Sequence, residues 1–241
     1  MADSEIRGYC FTPDDVIVDH RGQSRGAALA GKSWDRGKTL RILFLDGPAD
    51  YHDRVATHVK TWEEFADIKF VCSTDPSSEI RVTFTRETGR FYSMIGNDAL
   101  LCGFPPDNHT MNLGILPDWT LGIDTVEREI RRLILHEFGH SLGLIHEHSS
   151  PAAGSFFKDP ELVYAYYQRT QGWDRAMVDQ NVLAVYSRSQ ISNLTQFDPD
   201  SIMLYQFPPE ITCRPTKVNY ELSQLDKALI GAIGVGLRQA K

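Results

Sequence analysis

Apolar positions first fall into order at 38–46, KTLRILFLD, where β-favouring residues alternate with polar ones and predict a strand. Gly47-Pro48 breaks it. Over 49–66 the residues Val55, Val59, Trp62 and Phe65 recur at helical spacing, so this stretch is read as an amphipathic helix. Two short strands follow, IKFVC at 68–72 and EIRVTF at 79–84, divided by the turn-rich STDPSS. Residues 91–108 read as a loop, and HTMNLGIL, 109–116, as a further short strand stopped by Pro117. From Thr125 the helical period returns through VEREIRRLILHEFGHSLGL, and Gly143 stands where that helix can end. Segments 160–169 and 174–187 read as short helices of a second subdomain, and 221–234 as a last helix. Residues 1–33 carry Gly, Asp, Arg and Ala without clear period and are read as an extension lacking its own core, with order beginning near Trp34.

The chain has 241 residues, enough for one domain split by a cleft. Its 25 basic and 32 acidic residues leave a net charge of -7, the wrong sign for a general nucleic-acid footprint. No apolar run is long enough for a transmembrane helix, and no basic-then-apolar leader stands at the N-terminus, so no membrane partner is expected and the compartment stays open. Cys10, Cys72, Cys102 and Cys213 are too widely spaced for a C-x-x-C site, and both free thiols and paired disulfides are compatible with the sequence. The sequons at Asn108 and Asn193 matter only in a secretory pathway.

The eight histidines are unevenly placed: His136, His140, His146 and His148 crowd together. His136 and His140 are four residues apart and project from one helix face, where one zinc ion can take both nitrogens at ~2.0–2.1 Å. Glu137 lies beside the metal rather than on it, suited to hold a water and accept its proton. Gly143 lets the chain leave the helix, and His146 returns as the third ligand. Three protein ligands and an open position describe a catalytic zinc site, not a structural one. A lone histidine on such a helix is normally a packed core residue, but the full constellation arises by chance in roughly one such chain in thirty thousand.

His136-Glu137-Phe138-Gly139-His140-Ser141-Leu142-Gly143-Leu144-Ile145-His146 resembles the H-E-x-x-H-x-x-G-x-x-H signature of the metzincin metalloproteases, which also carry a downstream Met-turn. Ser201-Ile202-Met203-Leu204-Tyr205 is similar to the S-x-M-x-Y form of that turn in astacin-like enzymes, and the H-E-F-G-H-x-L-G-L-I-H-E-H pattern resembles a microbial branch of them. The resemblance implies an α+β, metzincin-type zincin fold: a mixed twisted sheet with a backing helix and an active-site helix, above a mainly irregular and helical C-terminal subdomain. It implies a zinc endopeptidase domain over 34–241, with an upper part at 34–146 and a lower part at 147–241. It makes Met203 the apolar floor under the metal and Tyr205 a further, displaceable zinc ligand that can stabilise an oxyanion. It also implies an extended peptide or protein substrate laid along an edge strand, here Met111, Asn112, Leu113 and Gly114, with an interior sheet position as the other reading. One catalytic Zn2+ and a monomer are expected, and the family resembled is mostly secreted.

The chain departs from the animal astacins after Glu147, where His148, Ser149 and Ser150 replace Gln and Arg. His148 breaks the ligand spacing and is assigned a supporting or surface role rather than a place on the metal. In mature astacins the glutamate after the third histidine engages a freed N-terminus, and an intact extension puts that role of Glu147 in doubt. The extension, possible as a pro-segment, offers Cys10, Asp14, Asp15 or Asp19 as zinc-blocking groups, although a disordered or surface-packed extension is the plainer reading. Arg214 or Lys217, after the Met-turn, could favour an acidic substrate side chain or be surface charges. A hydrolase dedicated to one partner protein and a zinc-retaining binding module without turnover are the alternatives, and the presence of both Glu137 and Tyr205 speaks against the second.

Overall fold

A computed structural model describes residues 28–84, 91–101, 108–114, 123–192 and 196–232. Cys10, Asp14, Asp15, Asp19, Cys102 and the sequon at Asn193 lie outside the described residues. A five-stranded sheet forms the upper layer, built from β2 (Lys38–Phe44), β3 (Ile68–Cys72), β4 (Ile80–Thr83), β5 (Tyr92–Ser93) and β6 (Met111–Asn112). Its order is β3-β2-β4-β6-β5, with all neighbours parallel except the outermost pair, β5 and β6. The alternation in β2 puts Leu40 and Ile42 in the core, as a half-buried strand requires.

Helices cover that sheet. The predicted helix at 49–66 forms as α1 (Ala49–His58) and a short continuation α2 (Lys60–Glu63), with Tyr51, Val55, Val59 and Trp62 facing inward. It packs against α3 (Ile123–Ser141), to which Trp62 is tied by an indole N–H donated to the Leu135 carbonyl at 3.1 Å. Below lie α4 (Pro160–Gln171) and α5 (Arg175–Val178). Asp159 caps α4 by accepting from Glu161 N, and Gly172 ends it at φ +69°. Among the described residues the remaining strands are β1 (Ala28–Leu29) and β7 (Ile191–Ser192), and the last α-helix is α6 (Gln224–Ala232).

Three expectations are corrected. The strand in 109–116 does not lie at the sheet edge: Met111–Asn112 sits between β4 and β5, and the edge on that side is Tyr92–Ser93, within the predicted loop. Asn112 is polar, yet its side chain is fully buried and accepts from Gly114 N at 3.0 Å. Residues 28–33 are not an extension outside the core. Ala28 and Leu29 pair with Ser192 and Ile191, and both are buried. Finally, the lower subdomain does not take all of 147–241. Leu222, Leu229 and Ile230 join the upper core, because the apolar face of α6 packs back toward Phe65. Phe156, Val163, Tyr167, Trp173 and Phe207 belong to the separate lower core. The two cores meet at the Met-turn, where Met203 belongs to the upper and Leu204 to the lower.

Candidate metal centre

His136 and His140 come from successive turns of α3, with ring centroids 4.9 Å apart. Gly143, at φ +101°, then turns the chain out of the helix, a conformation costly for any residue with a Cβ. Leu144 N donates back to the Gly139 carbonyl at 3.0 Å, closing the turn that returns His146 to the same spot. Backbone carbonyls orient two of the rings. His136 Nδ1–H donates to Ile202 O and His140 Nδ1–H donates to Leu144 O, each at 2.8 Å. A carbonyl can only accept, so both Nδ1 atoms carry the hydrogen and both Nε2 lone pairs point inward.

The inward atoms converge. One candidate ligand atom from each of the three histidines lies within 4.8 Å of the others. His140 Nε2 and His146 Nε2 are 3.0 Å apart, and the Tyr205 hydroxyl is 2.7 Å from His146 Nε2. Two nitrogens on one tetrahedral zinc would stand about 3.4 Å apart, so this spacing suits a shared cation. His136 Nε2 is buried with no hydrogen-bond partner among the described residues, an atom that a metal ion would satisfy. Burial pushes the His136 and His146 pKa values well below the usual imidazole range and that of His140 down to about 4, which favours the neutral, ligating form. The residues present fit zinc.

Around this centre, Met203 lies under α3. A Cβ added to Gly139 would stand 2.5 Å from the Met203 sulfur, so the glycine is what admits the methionine. Glu137 is fully buried at the helix position after His136. His148 is buried too, which excludes the surface role; it does not join the ligand set but stacks beside His146 at 5.4 Å and packs edge-on against Phe207 at 4.8 Å. Lys217 pairs with exposed Asp200, and Arg214 donates to Ala153 O while its guanidinium lies 4.7 Å from the Phe197 ring centroid.

A residue that the sequence did not single out supports the Met-turn. The Asp226 carboxylate accepts from Ser201 Oγ at 2.7 Å through one oxygen, and from Ile202 N and Ser223 N, each at 2.9 Å, through the other. It thereby fixes the residue whose carbonyl orients His136. Glu147, next to the third ligand, accepts from Asp198 N at 2.8 Å; burial pushes its pKa up to about 8.

Residues 46–184 match the profile of the matrixin family, Peptidase_M10. The chain belongs to the matrixins. It is 26% identical over 146 residues to stromelysin-3 of Xenopus laevis, a match covering 57% of this chain and 30% of that protein, so the chain spans less than a third of that relative's length. The solved structure of myroilysin is similar at a TM-score of 0.75 and 32% identity, covering 84% of this chain and 95% of that one. The high choriolytic enzyme 1, a hatching-enzyme zinc-protease from Oryzias latipes, is 15% identical at a TM-score of 0.53 over 83% of this chain and 92% of its own; it shows the fold alone. This matrixin therefore has the metzincin fold, and its three histidines stand close enough together to hold the catalytic zinc of that family. Among the described residues, no helix is long and apolar enough to cross a membrane.

Proposed function

We propose that this matrixin is a zinc endopeptidase of peptide or protein substrates and cleaves by water attack, with Glu137 as general base and Tyr205 as the oxyanion partner. The observation that carries the reading is the convergence of the His140 and His146 Nε2 atoms and the Tyr205 hydroxyl on one buried point. Bound there, zinc supplies the Lewis acidity that polarises the scissile carbonyl and acidifies water. Glu137 takes the proton of the attacking water and delivers it to the leaving amine. Its complete burial excludes bulk water from that transfer. Tyr205, half-buried beside His146, donates its phenolic hydrogen to the tetrahedral oxyanion. A tyrosine in this place is the feature that supports an astacin-like character among the metzincins.

An extended substrate pairs main chain to main chain along the outer side of β5 rather than along β6, because among the described residues Tyr92–Ser93 is the edge strand on the β6 side of the sheet. Arg214 donates to the Ala153 carbonyl and Lys217 pairs with Asp200 at the surface, and neither is assigned a part in selecting a substrate side chain. The catalytic domain includes Ala28 and all that follows it in the described chain, and residues 1–27 precede it. Glu137→Gln should keep about one zinc per chain and lose nearly all peptide hydrolysis. Near-full turnover in that variant, measured with a quenched fluorescent peptide, would refute the general base.

A further inference from the structure

The segment from Ala28 to Trp34 touches both the metal-ligand turn and the turn that follows the cleft strand. On one side, Leu29 N donates to Gly143 O at 3.1 Å, Ala28 bridges to Leu144, and the Trp34 indole donates to Ser141 O at 2.7 Å. Leu144 is the residue whose carbonyl orients His140. On the other side lies the short turn Gly96–Leu100, three residues beyond β5. Asn97 N donates to Lys32 O at 2.9 Å, and the Asn97 side chain donates to Gly31 O at 3.1 Å. The Lys32 ammonium pairs with the Asp98 carboxylate, both side chains under 10% exposed. Contact here is so close that a Cβ on Gly96, already at φ +56°, would fall 1.8 Å from the Lys32 carbonyl oxygen.

A buried ion pair is an inefficient way to add stability, since well-packed apolar residues of the same size often do as well; the best-attested separate use of such a pair is to fix one register. We propose that Lys32 and Asp98 are positioning residues for peptide cleavage. They lock the strap Gly31–Lys32 to the turn after β5 and so set the substrate-receiving edge at a fixed height over His140 and His146. The proposal rests on the reading that substrate lies along β5. It assigns neither residue a contact with substrate or metal.

The test compares binding of two peptides to the Glu137→Gln protein, which does not consume them. The long peptide spans the length of Tyr92–Ser93, and the short one reaches only the residues flanking the scissile bond. With the pair intact the long peptide should bind more tightly. Asp98→Asn should weaken the long peptide about tenfold and the short one by less than about twofold, with zinc content unchanged. Lys32→Met/Asp98→Leu keeps the site packed without an unpaired charge, and it should show the same selective loss even where the single variant does not fold. A lower melting temperature with an unchanged ratio of the two affinities makes the pair a plain stability element and overturns the proposal. Equal losses for both peptides overturn it as well. If the parent protein binds the two peptides alike, the assignment of β5 falls and the positioning role with it. If the parent discriminates and both variants still do, only the positioning role falls.

Discussion

At Gly139 two rules of helix chemistry pull in opposite directions. Alanine is the better helix former by about 1 kcal/mol, and the position lies inside α3. Yet the added methyl would stand 2.5 Å from the Met203 sulfur and 3.2 Å from Trp62. The methionine is already buried beneath the helix, so it has little room to give. Overpacking should outweigh propensity: Gly139→Ala is expected to lower stability by about 1–3 kcal/mol in chemical denaturation, and a gain in stability would show that Met203 yields freely. At this scale much of the site was legible. His136, His140 and His146 are set by one helix and one glycine turn, so local spacing carries them. His148 was less so, because the sequence could place it near the ligands but could not show that Phe156, Phe157 and Phe207 close around it.

Among the elements, α6 reaches furthest beyond what its own sequence suggests. Asp226 looks like an ordinary acidic residue in a first helical turn, a place where the helix dipole welcomes negative charge. Its acceptor role for Ser201 and Ile202 joins segments some 25 positions apart, and no local pattern reports that. Asp226→Ala would leave the buried Ile202 N–H without its acceptor and loosen the carbonyl that holds His136. Zinc affinity, read by competition with a chelating dye, should fall 10–100-fold, as for other residues that orient a ligand from behind. Asp226→Asn keeps an acceptor oxygen and should lose much less. Equal affinity in all three proteins would separate α6 from the metal centre. The strands divide the same way. β2, β3 and β4 were legible from alternation and length, whereas β5 has only two residues and leaves no period to read.

For the whole molecule, the joints between subdomains are where sequence reading fell short and where pH should act. Burial, and then the nearby charges of Asp198 and Asp226, hold the Glu147 carboxyl neutral up to a pKa of about 8, against an ordinary value of 4.5. A folded-state pKa raised in this way gives a contribution fully present below pH 4.5 and lost as pH rises through 8. Melting temperatures of the native protein should therefore decline across that window relative to Glu147→Gln, which keeps an acceptor for Asp198 N but cannot ionise. Parallel curves would place the Glu147 pKa near that of a free carboxylate. The boundary at residue 34 failed for a related reason, since β1 is two residues long and its partner β7 is remote. Ser192 Oγ donates to the Ala28 carbonyl across 164 positions of chain. At ~5–20 residues per second, a ribosome makes these partners roughly ten to thirty seconds apart. All three histidines exist before Ile191 and Ser192 arrive to hold the strap in place, and the Met-turn emerges later still. A nascent chain thus holds all three candidate ligands some seconds before the parts that orient them and finish the cleft exist.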